Sequence, residues 1–138
     1  MRSWKSALGL GVLMWLAPFV VAFLVFPFHE SARPLFESVM AVAVAGSAVG
    51  LGYIYVRRGT VTAEGLRLGL IWFALCVLID APLMLLGGPM QMTIADYMAD
   101  IGLTYLAIPA VTTGLAAAYT AGSVRSVVFR GEVEASRP

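Results

Sequence analysis

One acidic side chain, that of Asp80, lies within a long apolar segment, where a carboxyl group could bind a proton or a cation. Asp80 stands near the end of a long apolar run, in the segment Leu75-Cys76-Val77-Leu78-Ile79-Asp80-Ala81-Pro82. A carboxylate at the centre of a bilayer costs at least about 2.5–3.5 kcal/mol, so it must face protein or water, or carry a proton. We therefore expect Asp80 either to exchange a proton or cation, or to clamp two helices together.

The residues expected near Asp80 come from the last apolar run. Counting residues from the helix ends places Thr104 and Tyr105 at a comparable depth, and we expect one of them to donate a hydrogen bond to Asp80. Asp96 and Asp100, four residues apart, are predicted to lie at the outer mouth of the same region. There they would either gather a cation or cap a helix and face solvent.

The composition indicates that these residues lie in membrane-spanning helices. Of the 138 residues, 60% are hydrophobic and 12% are charged, against about 45–50% and about 25% in soluble domains. A helix that crosses the bilayer needs about 20 apolar residues, and four such runs occur, at about 7–28, 35–56, 66–86 and 101–121. The predicted fold class is all-α: an integral membrane four-helix bundle over 1–122, followed by a short cytoplasmic tail at 123–138.

The distribution of basic residues predicts the orientation in the membrane. With the N-terminus inside, eight Lys and Arg residues fall on the cytoplasmic side and only Arg33 falls outside. The eight are Arg2, Lys5, Arg57, Arg58, Arg67, Arg125, Arg130 and Arg137. Short cytoplasmic loops carry such an excess, so both termini are expected in the cytoplasm and the protein in the cell (inner or plasma) membrane.

Several functional classes lack the residues they need. The single cysteine, Cys76, precludes a disulfide within the chain, and the single histidine, His29, precludes a bis-histidine haem. We find no nucleophile–base pair, metal cluster, cofactor motif or nucleic-acid signature. We therefore expect no enzyme, no cofactor and no metal. Trp15 and Cys76 are interpreted as packing or lipid-facing residues.

Small residues repeat at four-residue spacing in three of the predicted helices. Such stripes let helix backbones approach closely in a membrane, and two uses stay open: packing within one bundle, or an interface between copies. The stripes comprise Gly46 and Gly50, Gly65 and Gly69, and Ala110, Gly114, Ala118 and Gly122.

The second half of the chain resembles a known group of proteins. The segment Gly65-Leu66-Arg67-Leu68-Gly69-Leu70-Ile71-Trp72-Phe73, then Ile79-Asp80, Tyr97 and Asp100-Ile101-Gly102-Leu103-Thr104-Tyr105-Leu106-Ala107-Ile108-Pro109, carries the resemblance. The group is a family of small prokaryotic four-helix membrane proteins without an assigned activity. The resemblance therefore implies the fold and singles out no reaction.

Two functions remain as hypotheses from the sequence. The first is a small proton- or cation-linked transport or permeation unit, forming a homo-oligomer and using Asp80 as its exchanging carboxyl. The alternative is a structural or accessory subunit that binds another membrane protein through its small-residue helix faces. In both, the lipid bilayer is the surrounding partner and nucleic acid is not.

Overall fold

Four long helices form the protein in the computed structural model, which describes residues 4–57, 62–86, 91 and 93–135. They are α1 (Trp4–Val25), α2 (Arg33–Val56), α3 (Thr62–Leu85) and α6 (Ala107–Ala135), and a short 3₁₀ turn, Phe26–Phe28, extends α1. The described residues contain no strand, and the predicted all-α four-helix fold is confirmed.

The helices have the length and composition needed to cross a membrane. Trp4–Phe28, Arg33–Val56, Thr62–Leu85 and Leu103–Val127 each qualify among the described residues. Apolar side chains cover much of the outer surface, as expected when lipid is the solvent. Among the most exposed are Phe23, Leu24, Val42, Leu78, Leu86, Val127 and Phe129. This surface indicates a multi-pass membrane protein.

Each long helix packs chiefly against two others. α1 contacts α2 and α3, while α6 contacts α2 and, most extensively, α3. The order around the bundle is therefore α1, α2, α6, α3. Although α2 and α3 follow each other in sequence, they lie diagonally opposite each other in the bundle. Residues at three- and four-residue spacing form each buried stripe, as on α1: Ala7, Gly11, Met14, Pro18 and Ala22.

Two tryptophans fix how α1 and α3 lie against each other. The indole Nε1 of Trp72 donates to the backbone oxygen of Ala7 at 2.8 Å, and that of Trp15 donates to Asp80 Oδ1 at 3.4 Å. Both bonds join residues 65 positions apart in the chain. A constant offset is the signature of two parallel helices, so both tryptophans specify the same register.

The fourth membrane span begins irregularly, where the sequence predicts one regular helix over 101–121, although the backbone angles of Leu106 remain helical. A short helix, α4 (Ile94–Tyr97), leads into a π-helical turn (Met98–Gly102). The next helix, α5 (Leu103–Tyr105), is separated from α6 by a one-residue break at Leu106. Pro109 explains the break, because a proline ring clashes with the carbonyl group four residues earlier, here that of Tyr105. The π turn closes with the Leu103 amide donating to the Met98 oxygen.

The helix ends also differ from their expected positions. α3 begins at Thr62, four residues before the predicted start at about 66. α6 does not end at Gly122 but runs on to Ala135, and the hydroxyl groups of Ser123 and Ser126 bond to backbone oxygens of the preceding turn. At 29 residues and about 1.5 Å per residue, α6 is about 44 Å long.

Glycines allow α3 and α6 to approach closely. A Cβ atom at Gly65 would overlap Ala116 and the Thr112 backbone, and one at Gly69 would overlap Thr112 and Pro109. The predicted stripes Gly46–Gly50 and Ala110–Gly122 lie differently, because all six of their small residues are exposed and the four glycines have open space around them. Packing within one bundle is therefore wrong for these six, and the interface between copies stays a prediction.

Candidate functional site

Asp80 is enclosed by the bundle, with only 2% of its surface exposed. It lies on the buried stripe of α3, one turn after Cys76 and one turn before Met84. Five residues separate it from the end of the helix at Leu85, so it lies about 7–8 Å along the axis from that end. The carboxyl group thus lies near the C-terminal end of the third membrane span.

Two neutral hydrogen-bond donors, each from a different helix beside α3, bond to the Asp80 carboxyl group. The Tyr105 hydroxyl group, on α5, donates to Asp80 Oδ2 at 3.0 Å, and the Trp15 indole, on α1, donates to Oδ1 at 3.4 Å. The Tyr105 bond has ordinary geometry, whereas the Trp15 bond is longer than the usual 2.7–3.2 Å for N–H donors. Asp80 therefore joins the first, third and fourth membrane spans.

In the described part of the chain, no cationic group is bonded to Asp80, and its two hydrogen-bond donors, Tyr105 and Trp15, are both neutral. The same part of the chain has no group of three or more His, Cys, Asp and Glu residues that could hold a metal ion. A lone carboxyl group with neutral donors is suited to binding a proton or one monovalent cation.

Tyr97 brings a second hydroxyl group to this region. It belongs to the same buried cluster as Cys76, Met84 and Tyr105, and its hydroxyl group has no hydrogen-bond partner in the described part of the chain. Tyr97 precedes the fourth span, and burial, followed by the charges of Asp80 and Cys76, raises its pKa to about 12. Its hydroxyl group therefore keeps its proton at physiological pH.

Of the two predicted outer-mouth residues, Asp96 and Asp100, the structure describes the side chain of Asp96 only. Asp96 is half-buried and belongs to the first turn of α4, where its Oδ2 accepts a hydrogen bond from the Thr93 hydroxyl group at 2.7 Å. The Asp96 amide in turn donates to that hydroxyl oxygen at 3.2 Å, a reciprocal helix cap. The side chain of Asp100 lies outside the described residues.

Sequence reasoning found one of the two donors to Asp80 and missed the other. Tyr105 lies where the depth count predicts, whereas neither described bond to Asp80 comes from Thr104. Trp15 is only half-buried and not purely a packing or lipid-facing residue, because its indole reaches the carboxylate. The sequence signal for Trp15 was its spacing: Trp15 and Asp80 are 65 residues apart, as are Ala7 and Trp72. This shared spacing can be recognised only once α1 and α3 are known to be neighbours.

Comparison with protein-family models, curated proteins and solved structures finds no match to this chain. The resemblance to small prokaryotic membrane proteins therefore stays a prediction, and the function must be argued from the site.

Proposed function

We propose that this protein is a small proton- or cation-linked transport or permeation unit in which Asp80 is the exchanging carboxyl group. The observation that carries the proposal is a buried carboxyl group on the third span that accepts a hydrogen bond from Tyr105, in the irregular first part of the fourth span. Tyr105, its closer donor, is the last residue of α5, immediately before the break at Leu106. An ionisable residue inside a membrane span is a candidate functional site by default, and this one is bonded to a segment that contains a π-helical turn.

This irregular segment also supplies a means of opening an enclosed site. Asp80 is almost fully buried, so exchange with water requires a neighbouring segment to move. A π-helical turn is rare and occurs often at functional sites, and the turn Met98–Gly102 lies directly before α5, whose last residue is Tyr105. Movement of this segment would break the Tyr105 bond and admit water, while the tightly packed α3–α6 contact at Gly65 and Gly69 remains closed.

Orientation and assembly belong to the same proposal. The positive-inside pattern favours both termini in the cytoplasm of a cell membrane, which puts Asp80 nearer the outer face. Arg2, Arg58 and Arg137 of that pattern lie outside the described residues. One copy has little room for an internal pathway, so we propose a homo-oligomer whose outward stripe Ala110–Gly122 meets another copy.

Proton flux in lipid vesicles tests the proposal without knowledge of a substrate. Purified protein is reconstituted with a pH-sensitive dye inside, and a potassium diffusion potential drives protons inward. We expect the wild type to conduct and Asp80→Asn to conduct no more than protein-free vesicles, because the amide cannot release a proton. Glu37→Gln is the matched control, since Glu37 is an exposed acid paired with Arg33 at 3.1 Å and should keep wild-type flux.

An accessory role is the second candidate, and the exposed small-residue stripe on α6 favours it. In that case Asp80 is a structural clamp between helices. Wild-type flux in a folded Asp80→Asn variant would overturn the transport proposal, and no proton flux in the wild type would overturn its proton-linked form. Stoichiometric co-purification of another membrane protein would then support the accessory role.

A further inference from the structure

A groove lies between α3 and α6 at the end of the bundle where α3 begins. Thr62 lines it on α3, and on α6 the groove follows one face of the helix from Ala117 to Phe129. These two residues are 12 positions apart, about 18 Å along the helix axis. The volume of the groove is about 690 Å³, within the range of about 300–1,000 Å³ that is usual for sites of small ligands.

The lining of the groove combines one cation with an apolar wall. Arg125 is the charged residue of the described lining, and Ala117, Ala121 and Val124 make up the apolar wall. In the described part of the chain, no residue forms an ion pair or a hydrogen bond with the Arg125 side chain. A guanidinium group presents its N–H donors in a fork that matches a phosphate group. The groove thus offers a phosphate-binding side chain beside an apolar surface.

Arg125 lies at the depth of the lipid headgroups. It is two residues before Val127, where the fourth membrane span ends, and Thr62 across the groove is the first residue of the third span. From Arg125 the groove extends back along α6 to Ala117, about 12 Å toward the middle of the membrane. A ligand in this groove therefore has its polar part at the membrane surface and its apolar part among the lipid tails.

We propose that the groove binds one anionic phospholipid. The Arg125 guanidinium group binds its phosphate, the Thr62 hydroxyl group donates a hydrogen bond to the same phosphate, and an acyl chain lies along Ala117 and Ala121. The positive-inside pattern favours this end of the bundle at the cytoplasmic face, where anionic lipids give the membrane a negative surface potential. The groove is at the opposite end of α3 from Asp80, and its ligand is independent of the exchange function.

Charge favours a lipid over a second copy of this chain as the occupant of the groove. Copies that share one orientation in the membrane would bring two Arg125 side chains to the same depth. Like charges placed together disfavour an interface, whereas an anionic headgroup neutralises the arginine. The stripe that we propose for assembly is uncharged and lies outside the groove lining; it comprises Ala110, Gly114, Ala118 and Gly122.

The test is native mass spectrometry of the intact protein in detergent micelles, titrated with dioleoyl-phosphatidylglycerol or dioleoyl-phosphatidylcholine. The two lipids have the same acyl chains and differ in the net charge of the headgroup. We expect each protomer to retain one phosphatidylglycerol molecule with at least about tenfold higher affinity than phosphatidylcholine, because charge-assisted hydrogen bonds to phosphate are the strong ones.

A pair of charge variants distinguishes a site from general attraction. We expect Arg125→Gln to weaken binding of phosphatidylglycerol by at least about tenfold, whereas one basic residue near an anionic surface contributes only about fivefold. Arg130→Gln is the matched control, since Arg130 is exposed on the same helix and lies outside the groove lining. It should weaken binding by no more than about fivefold.

A second pair of variants tests the groove without changing any charge. Ala121→Leu fills the apolar wall and should prevent retention of the lipid. Ala41→Leu, at an exposed position of α2, should leave binding unchanged. The melting temperatures of all four variants without added lipid should stay at the wild-type value, because all four substituted positions are exposed.

Four results would overturn the lipid site. Equal weakening by Arg125→Gln and Arg130→Gln would indicate general attraction to anionic lipid. Equal retention of the two lipids by the wild type, or wild-type binding in Ala121→Leu, would exclude an anionic lipid from the groove. Displacement of phosphatidylglycerol by inorganic phosphate alone would make the groove a site for a free anion. A lipid-free dimer that Ala121→Leu dissociates would assign the groove to a second copy.

Discussion

At the scale of single residues, the Asp80 carboxyl group is held by donors that carry no charge. A permanent cation would bind the carboxylate tightly and resist proton exchange. Loss of the Tyr105 and Trp15 bonds would instead leave no buried cation behind, because both donors are neutral. This arrangement is compatible with a group that cycles between two states, and it also accounts for Asp80 as a joint between three membrane spans.

The Tyr105 bond is expected to stabilise the bundle measurably. Tyr105→Phe removes the 3.0 Å hydrogen bond to Asp80 while keeping the ring, and bonds of this kind in membranes contribute about 0.6–2 kcal/mol. We expect a loss of that size in the free energy of unfolding, measured by denaturant titration in mixed micelles. Tyr55→Phe, which removes a hydroxyl group without a described partner, should lose nothing. Equal stability of the two variants would contradict the described geometry.

How much of the site could be predicted depends on the kind of residue. Asp80 is recognisable because a carboxyl group in an apolar run is rare, and Tyr105 follows from a count of helical rise. Trp15 does not, since its role depends on the register of two helices that the sequence does not show to be neighbours. The burial of Tyr97 does not follow from the sequence either, because burial of a side chain is a property of packing.

At the scale of elements, proline and glycine determine how the fourth span meets the third. Pro109 ends α5 beside Asp80, and the backbone around it packs directly on Gly69. The π turn at Met98–Gly102 does not follow from the sequence, since no residue pattern specifies an i to i−5 bond. The small-residue spacing at Gly65 and Gly69 predicted close packing, while the same spacing on α6 faces outward.

Glycine substitutions distinguish the two kinds of stripe. Gly69→Ala places a methyl group against Thr112 and Pro109, and overpacking of this kind costs about 1–3 kcal/mol. Gly114→Ala meets nothing within 4 Å and should be neutral or slightly stabilising, because alanine favours a helix. We expect this difference in the unfolding free energies of the dissociated protein, measured in detergent. A more damaging Gly114→Ala would contradict the assigned outward face.

At the scale of the whole molecule, burial of Asp80 is a property of the assembled bundle. The composition alone was sufficient to predict four membrane helices, because lipid requires long apolar segments with internal backbone bonds. Their order around the bundle was not readable, since α2 and α3 are adjacent in sequence but diagonal in space. Only that arrangement brings Trp15, Asp80 and Tyr105 together from three spans.

The most direct test of the central claim is an infrared titration of the Asp80 carboxyl group in the intact protein in lipid. Asp80→Asn serves as the blank, and melting of both proteins is followed alongside. We expect a carboxyl band that appears and disappears reversibly as the pH is varied, with the variant still folded, because the neutral donors allow both protonation states. A band fixed in one state, together with a markedly less stable variant, would contradict exchange and make Asp80 a structural clamp.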